Sequence, residues 1–167
     1  MRFGLFIPQG WRHDLVGIEP ADQWGVMKGL AQRADAGPWE SIWVYDHFHT
    51  VPAPTDQATH EAWSLMAAFG AVTERVRLGQ MCTCMSYRNP AYLAKVAATC
   101  DIVSGGRVEM GIGAGWYEQE WRAYTSLTDP QNRHSFVRTL RAVIDPAGDD
   151  VSAHDKLYLA RHLPTMI

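Results

Sequence analysis

The sequence is short of the features that would mark a secreted, membrane-spanning or nucleic-acid-binding protein. It has three cysteines, Cys82, Cys84 and Cys100. The odd count excludes a fully paired disulfide scaffold, and a single C-x-C matches no common zinc spacing. The expectation is reduced thiols in a cytoplasmic chain without a secretory leader. Long apolar runs are missing too. Phe3-Gly4-Leu5-Phe6-Ile7 is stopped by Pro8, and Leu65 to Val72 is interrupted by Gly70, so neither approaches the ~20 residues of a membrane helix. No charge of one sign dominates: 15 basic against 18 acidic residues leave a net charge of −3, with no basic footprint for nucleic acid. At 47% hydrophobic and 20% charged, the composition excludes intrinsic disorder. A chain of 167 residues is long enough for one domain to bury a core without disulfide or metal.

What is there is an alternation of short apolar runs and helical patterns over the first 125 residues, which points to βαβ units and a parallel sheet. The runs are Phe3–Ile7, Ser41–Tyr45, Val76–Met81 and Arg107–Ile112. Between them, Trp24, Met27, Leu30, Ala31 and Ala34 share a helical face after Pro20, with Gly37 as the stop. Trp63, Met66, Ala67 and Gly70 share another. Asn89 and Pro90 open a third helix carrying Leu93, Val96, Ala97 and Cys100, and Ser104-Gly105-Gly106 ends it. Units of roughly 30 residues fit a (β/α)8 barrel, and they also fit an open doubly wound sheet.

In either architecture ligands bind at the carboxyl ends of the strands. Asp46 and His47, just past the second run, are the strongest candidates: an imidazole titrates near neutrality, and an adjacent acid suits proton transfer. The same histidine could instead cap a loop, or pair with His49 as a metal ligand. Gly111-x-Gly113-x-Gly115 is not a dinucleotide fingerprint, because its third glycine falls one position early and no helix with an acidic partner is expected to follow. These glycines are read as backbone that lets a flat ligand approach. Trp11, Trp43, Trp116 and Trp121 could line a slot or simply be core. Arg88 could meet a phosphate or cap a helix.

Taken together, the stretches Met1–Pro8, Ser41–Phe48, Glu61–Leu65, Arg77–Gly79, Tyr87–Pro90 through Lys95, and Ser104–Arg107 through Gly113–Tyr117 resemble the luciferase-like monooxygenase superfamily, in particular its deazaflavin-dependent oxidoreductases. The resemblance implies a triosephosphate-isomerase-type barrel with coenzyme F420, or FMN as the alternative, across its mouth. It implies hydride transfer on a small organic substrate, with Asp46 and His47 catalytic and His47 the acid/base. It also implies that Met81, Cys82 and Thr83 form a bulge behind the ring, often through a non-prolyl cis peptide, with Gly113 and Gly115 beside it. Some relatives carry an acidic residue where this chain has Trp116, with Glu118 two residues on.

The quoted motifs end near Tyr124. Residues 126–167 contain Phe136 and Tyr158 as their aromatics, Gly148 as their glycine and no tryptophan, with one helical pattern from Pro130 to Ile144. The expectation is therefore four βα units over residues 1–125, the N-terminal half of a barrel, followed by a divergent helical tail. Bare sheet edges invite pairing with another chain, so a homo-oligomer is expected. Two other functions stay open: a truncated, non-catalytic, self-associating module, and a metal-dependent hydrolase using His47 and His49.

Overall fold

The structure, a computed structural model, describes residues 1–124. Strands and helices alternate along it: β1 (Gly4–Phe6), α1 (Pro20–Ala36), β2 (Ser41–Val44), α2 (Ala62–Val72), β3 (Arg77–Cys84), α3 (Pro90–Ser104), β4 (Val108–Gly113) and α4 (Glu118–Tyr124). All neighbouring strands are parallel, and their order in the sheet is their order in the chain. This is the N-terminal part of a (β/α)8 barrel, four βα units in sequence.

The helices begin and end where the residues require it. Pro20 occupies the first turn of α1, where a missing N–H costs nothing. The Glu61 carboxylate accepts from the Trp63 and Ser64 N–H groups to cap α2, and Asn89 Oδ1 accepts from Ala91 and Tyr92 to cap α3. Gly105, at φ 70°, closes α3 in the left-handed region, where glycine carries no Cβ penalty. One sheet face packs against the helices: Ile42, Val44, Leu78, Val108, Met110 and Ile112 join Met27, Ala31, Met66, Phe69, Leu93 and Ala97 in a single buried cluster. At the amino-terminal end, Arg107 donates to the carbonyls of Gly70, Thr73, Val76 and Ser104, tying the ends of α2 and α3 to the sheet.

The other face, the inside of the barrel, carries Trp43. A Cβ added at Gly79 would fall 2.3 Å from the Trp43 ring, so glycine is what lets that ring lie flat on β3. Phe6 and Met81, 41% and 48% exposed, flank it on the open side.

Two elements differ from the sequence pattern. Strand β3 continues to Cys84 instead of ending at Met81, because a register shift against β4 between Gln80 and Thr83 interrupts its in–out alternation. The Met81–Cys82 peptide within that shift is cis. A helix, α4, does follow the β4 glycines; at seven residues it is too short for a periodic signal. The helical pattern from Pro130 to Ile144 and the division at residue 125 lie outside the described residues. Among those described, no helix is long and apolar enough to cross a membrane.

Candidate active site

At the carboxyl ends of the strands a cavity of about 590 Å³ is walled by Trp11 and Arg12 after β1, Tyr45, Asp46 and His47 after β2, Met81, Cys82, Cys84 and Tyr87 from β3 and its loop, and Gly113–Trp116 after β4. The first wall is set by a buried glutamine. Gln9 Nε2 donates to the carbonyls of Tyr45 and His60, and its Oε1 accepts from the Tyr45 N–H at 2.6 Å. Asp14 folds the following turn by accepting from the Gly10 N–H. Gly10 sits at φ 98°, and a Cβ there would lie 1.9 Å from the Ala58 carbonyl oxygen. Trp11 is thereby pressed against the second wall.

His47 stacks on Trp11, with ring centroids 4.3 Å apart and planes within 10°, and meets Trp116 edge-on at 5.8 Å. Its Nδ1 lies 2.8 Å from Glu120 Oε2 on α4. Nε2 has no hydrogen-bonding partner among the described residues, and the His47 ring lines the cavity. Glu120 is fully buried and saturated: Oε1 accepts from the Phe48 and His49 N–H groups at 2.6 and 2.8 Å, and Oε2 from the Tyr87 hydroxyl at 2.8 Å as well as from His47. Burial works to raise its pKa, but the bonds from His47, the His49 N–H and Tyr87 outweigh it and hold it below the ordinary carboxylate value. An ionised Glu120 fixes the tautomer, with the proton on Nδ1 and the lone pair on Nε2.

Sequence reasoning passed over Glu120 and weighed Glu118, two residues earlier. Glu118 is exposed and pairs with Arg122 one turn on. The signal that could have separated them is their position on α4, where only Glu120 shares the buried side with Trp121.

Asp46 is buried beside His47 but occupied differently. Its Oδ2 accepts from the Cys84 N–H and Arg88 Nη1, both at 2.7 Å, and its Oδ1 from Arg88 Nη2 at 2.8 Å. Burial pushes its pKa up, while Arg88 and the Cys84 amide pull it down. Arg88 also pairs with Glu61, the cap of α2, so neither of the roles weighed for it fits: it bridges two carboxylates inside the fold. Burial opposes its charge, and Asp46 and Glu61 raise its pKa against that.

The other candidates divide. Met81, Cys82, Gly113 and Gly115 line the cavity. Thr83 does not; within the extended β3 its side chain is buried, and its hydroxyl donates to Gln80 Oε1. The glycines have a packing reason besides any ligand: a Cβ at Gly113 would lie 3.2 Å from Cys82 Cβ, and one at Gly115 2.5 Å from Cys84 Sγ. Burial raises the pKa of the Cys82 and Cys84 thiols and pushes Cys100 to about 11, which keeps all three protonated and unreactive. Trp11 and Trp116 line the cavity, Trp43 lies inside the barrel, and Trp121 is buried. His49 turns to the Tyr124 hydroxyl at 3.1 Å. No group of three His, Cys, Asp or Glu side chains gathers for a metal among the described residues.

A family model described as luciferase-like monooxygenase matches residues 1–162. The chain belongs to the luciferase-like monooxygenase family. The match runs past Tyr124, where the quoted motifs end. Among curated members, the F420-dependent glucose-6-phosphate dehydrogenase of Amycolatopsis mediterranei is 38% identical over 88 residues, 51% of this chain and 26% of that protein. The FMN complex of the oxygenating constituent of 3,6-diketocamphane monooxygenase from Pseudomonas putida superposes with TM-score 0.66 at 21% identity, over 84% of this chain and 37% of that one. An F420-dependent secondary alcohol dehydrogenase, solved with an F420–acetone adduct, superposes with TM-score 0.62 at 25% identity, over 86% of this chain and 42% of that one. The chain spans about a quarter to a third of the curated luciferase-like relatives it matches. Solved structures that share this fold therefore include an FMN complex and an F420 complex. The cavity lining suits a flat ring of either kind: Trp11, Tyr45, Trp116 and the small residues Gly113–Gly115 all border it, and His47 Nε2 is unpartnered among the described residues.

Proposed function

We propose that this chain forms the catalytic-base side of an F420-dependent oxidoreductase site, with FMN the alternative, acting on a small organic substrate. When bound, the deazaflavin would supply two-electron hydride chemistry. The carrying observation is His47, with Nδ1 held by Glu120 at 2.8 Å and Nε2 unpartnered among the described residues. His47 accepts or returns a proton at Nε2 as the substrate is oxidised or reduced. Trp11 keeps the imidazole plane fixed, and Asp46, engaged by three donors, is a positioning residue that locks the loop carrying His47. Met81, Cys82, Gly113 and Gly115 would hold the flat ring. F420 is preferred over FMN because the 38% identical relative is an F420 enzyme.

Titrating coenzyme F420 against the chain while following its fluorescence tests the reading. Quenching that saturates supports it, and no quenching at high micromolar protein overturns it. His47→Asn is expected to abolish turnover while leaving the fold intact.

A second reading has its own observation. Among the described residues β1 and β4 are each paired on one side only, and Phe3, Phe6 and Met81 are exposed near the open inner face. Self-association through these edges predicts oligomers without cofactor binding. A stable compact monomer in sedimentation velocity would count against it.

A further inference from the structure

The charges around the cavity are nearly all neutralised within the protein. Asp46 is paired with Arg88 and Glu120 is spent on four donors. Burial raises the pKa of the Cys82, Cys84 and Tyr87 side chains, so these walls are uncharged at neutral pH. Arg12 is the exception. It lines the cavity, its guanidinium carbon lies 4.7 Å from the Trp11 ring centroid, and it makes no ion pair among the described residues. Beside it is a second unengaged group. The Tyr45 hydroxyl has no hydrogen-bonding partner among the described residues, yet Tyr45 lines the same cavity with its ring stacked on Phe6 at 4.5 Å. Burial raises the pKa of this phenol, the charge of Arg12 works against that rise, and the Asp14 carboxylate adds to it.

An exposed guanidinium resting over an aromatic ring keeps N–H donors free for a planar or tetrahedral anion. We propose that Arg12 and Tyr45 form the subsite for the substrate's acid group, so that the substrate is a small carboxylate or phosphate monoester. Trp11 contacts both Arg12 and His47, so the anion site and the imidazole border the same indole. The inference rests on the oxidoreductase reading for the word substrate; the anion site itself does not.

The test uses the 167-residue chain with benzoate and its neutral isostere benzamide as probes, read by intrinsic tryptophan fluorescence. Benzoate is expected to bind about tenfold more tightly, the effect of one charge-assisted contact, and to lose that margin as salt is raised. Arg12→Ala should erase the preference, Arg12→Lys should keep part of it, and Tyr45→Phe should cost about threefold. Equal binding of the two probes, or a preference that survives in Arg12→Ala, overturns the proposal. If Arg12→Ala weakens F420 binding as much as benzoate binding, the anion site serves the cofactor and the substrate assignment falls. Inorganic phosphate, competing with benzoate in the natural chain but not in Arg12→Ala, supports the monoester arm. The two readings fail separately: Arg12-dependent benzoate binding without F420 quenching leaves the anion site standing and removes the oxidoreductase.

Discussion

Replacing Glu120 by glutamine changes one atom and reverses the chemistry of a residue on another element. The carboxylate faces two backbone donors through Oε1 and two side-chain donors through Oε2. The backbone N–H groups of Phe48 and His49 cannot become acceptors, so the amide oxygen must take their side. The amide NH2 then points at His47 Nδ1 and the Tyr87 hydroxyl. His47 satisfies it only by moving its proton from Nδ1 to Nε2, which removes the lone pair from the cavity. A hydrogen bond to a charged group is worth about 1.5–3 kcal/mol and a neutral one about 0.5–1.5. All four bonds lose their charge, at about 1–1.5 kcal/mol each, so the change costs about 4–6 kcal/mol of stability, measurable by urea unfolding. The catalytic loss should be about 10²–10⁴-fold, the range that a positioned base supplies. The decisive assay is nitrogen NMR of labelled histidine, which reports the tautomer without any turnover. A His47 that keeps its proton on Nδ1 in Glu120→Gln, or a variant with near-natural turnover, would refute the orienting role.

Arg88→Met should cost about 3–5 kcal/mol, because it leaves Asp46 and Glu61 without their shared cation. Adding Asp46→Asn should restore part of that in chemical denaturation. Gly115→Ala should cost about 2–4 kcal/mol, from overpacking against Cys84 and from a Cβ at φ 77°; a melting temperature unchanged within a degree would contradict it. Stability should fall on acidification in two stages. His60 is held below its ordinary 6.5 by burial, so its contribution is present above 6.5 and is lost as pH falls through the depressed folded value. Asp35, Glu61 and Glu120 are held below their ordinary 3.8–4.5, so their contribution is complete above that range and disappears as pH drops through the lower folded values. Urea midpoints between pH 7 and pH 3 would show both.

Local signals carried the frame of the fold. Asn89-Pro90 and Gly105 mark α3 because a cap, a fixed φ and a left-handed stop act on the residues that contain them. Ile42 and Val44 mark β2 because alternate residues share a face. Strand β3 was legible only to Met81, since a register shift spoils the alternation that defines a strand. The site was legible where one segment held its residues, as at Asp46 and His47. It was not legible where partners come from distant elements. Nothing near Glu120 announces that it meets His47, 73 positions away. The pairing of Arg88 with both Asp46 and Glu61 is likewise a product of three elements converging.

The order of the strands has a consequence for how this chain comes into being. Each strand pairs with its neighbour in sequence, so the sheet can grow as the chain leaves the ribosome, every new unit docking on one already formed and closing only short loops. His47 is synthesised early and belongs to the second unit, but the carboxylate that orients it arrives on the last described helix. A nascent chain that has folded three units thus presents a histidine of undecided tautomer. The pairing of His47 with Glu120 forms only after the fourth strand is in place, which couples the orientation of the imidazole to the docking of the fourth unit.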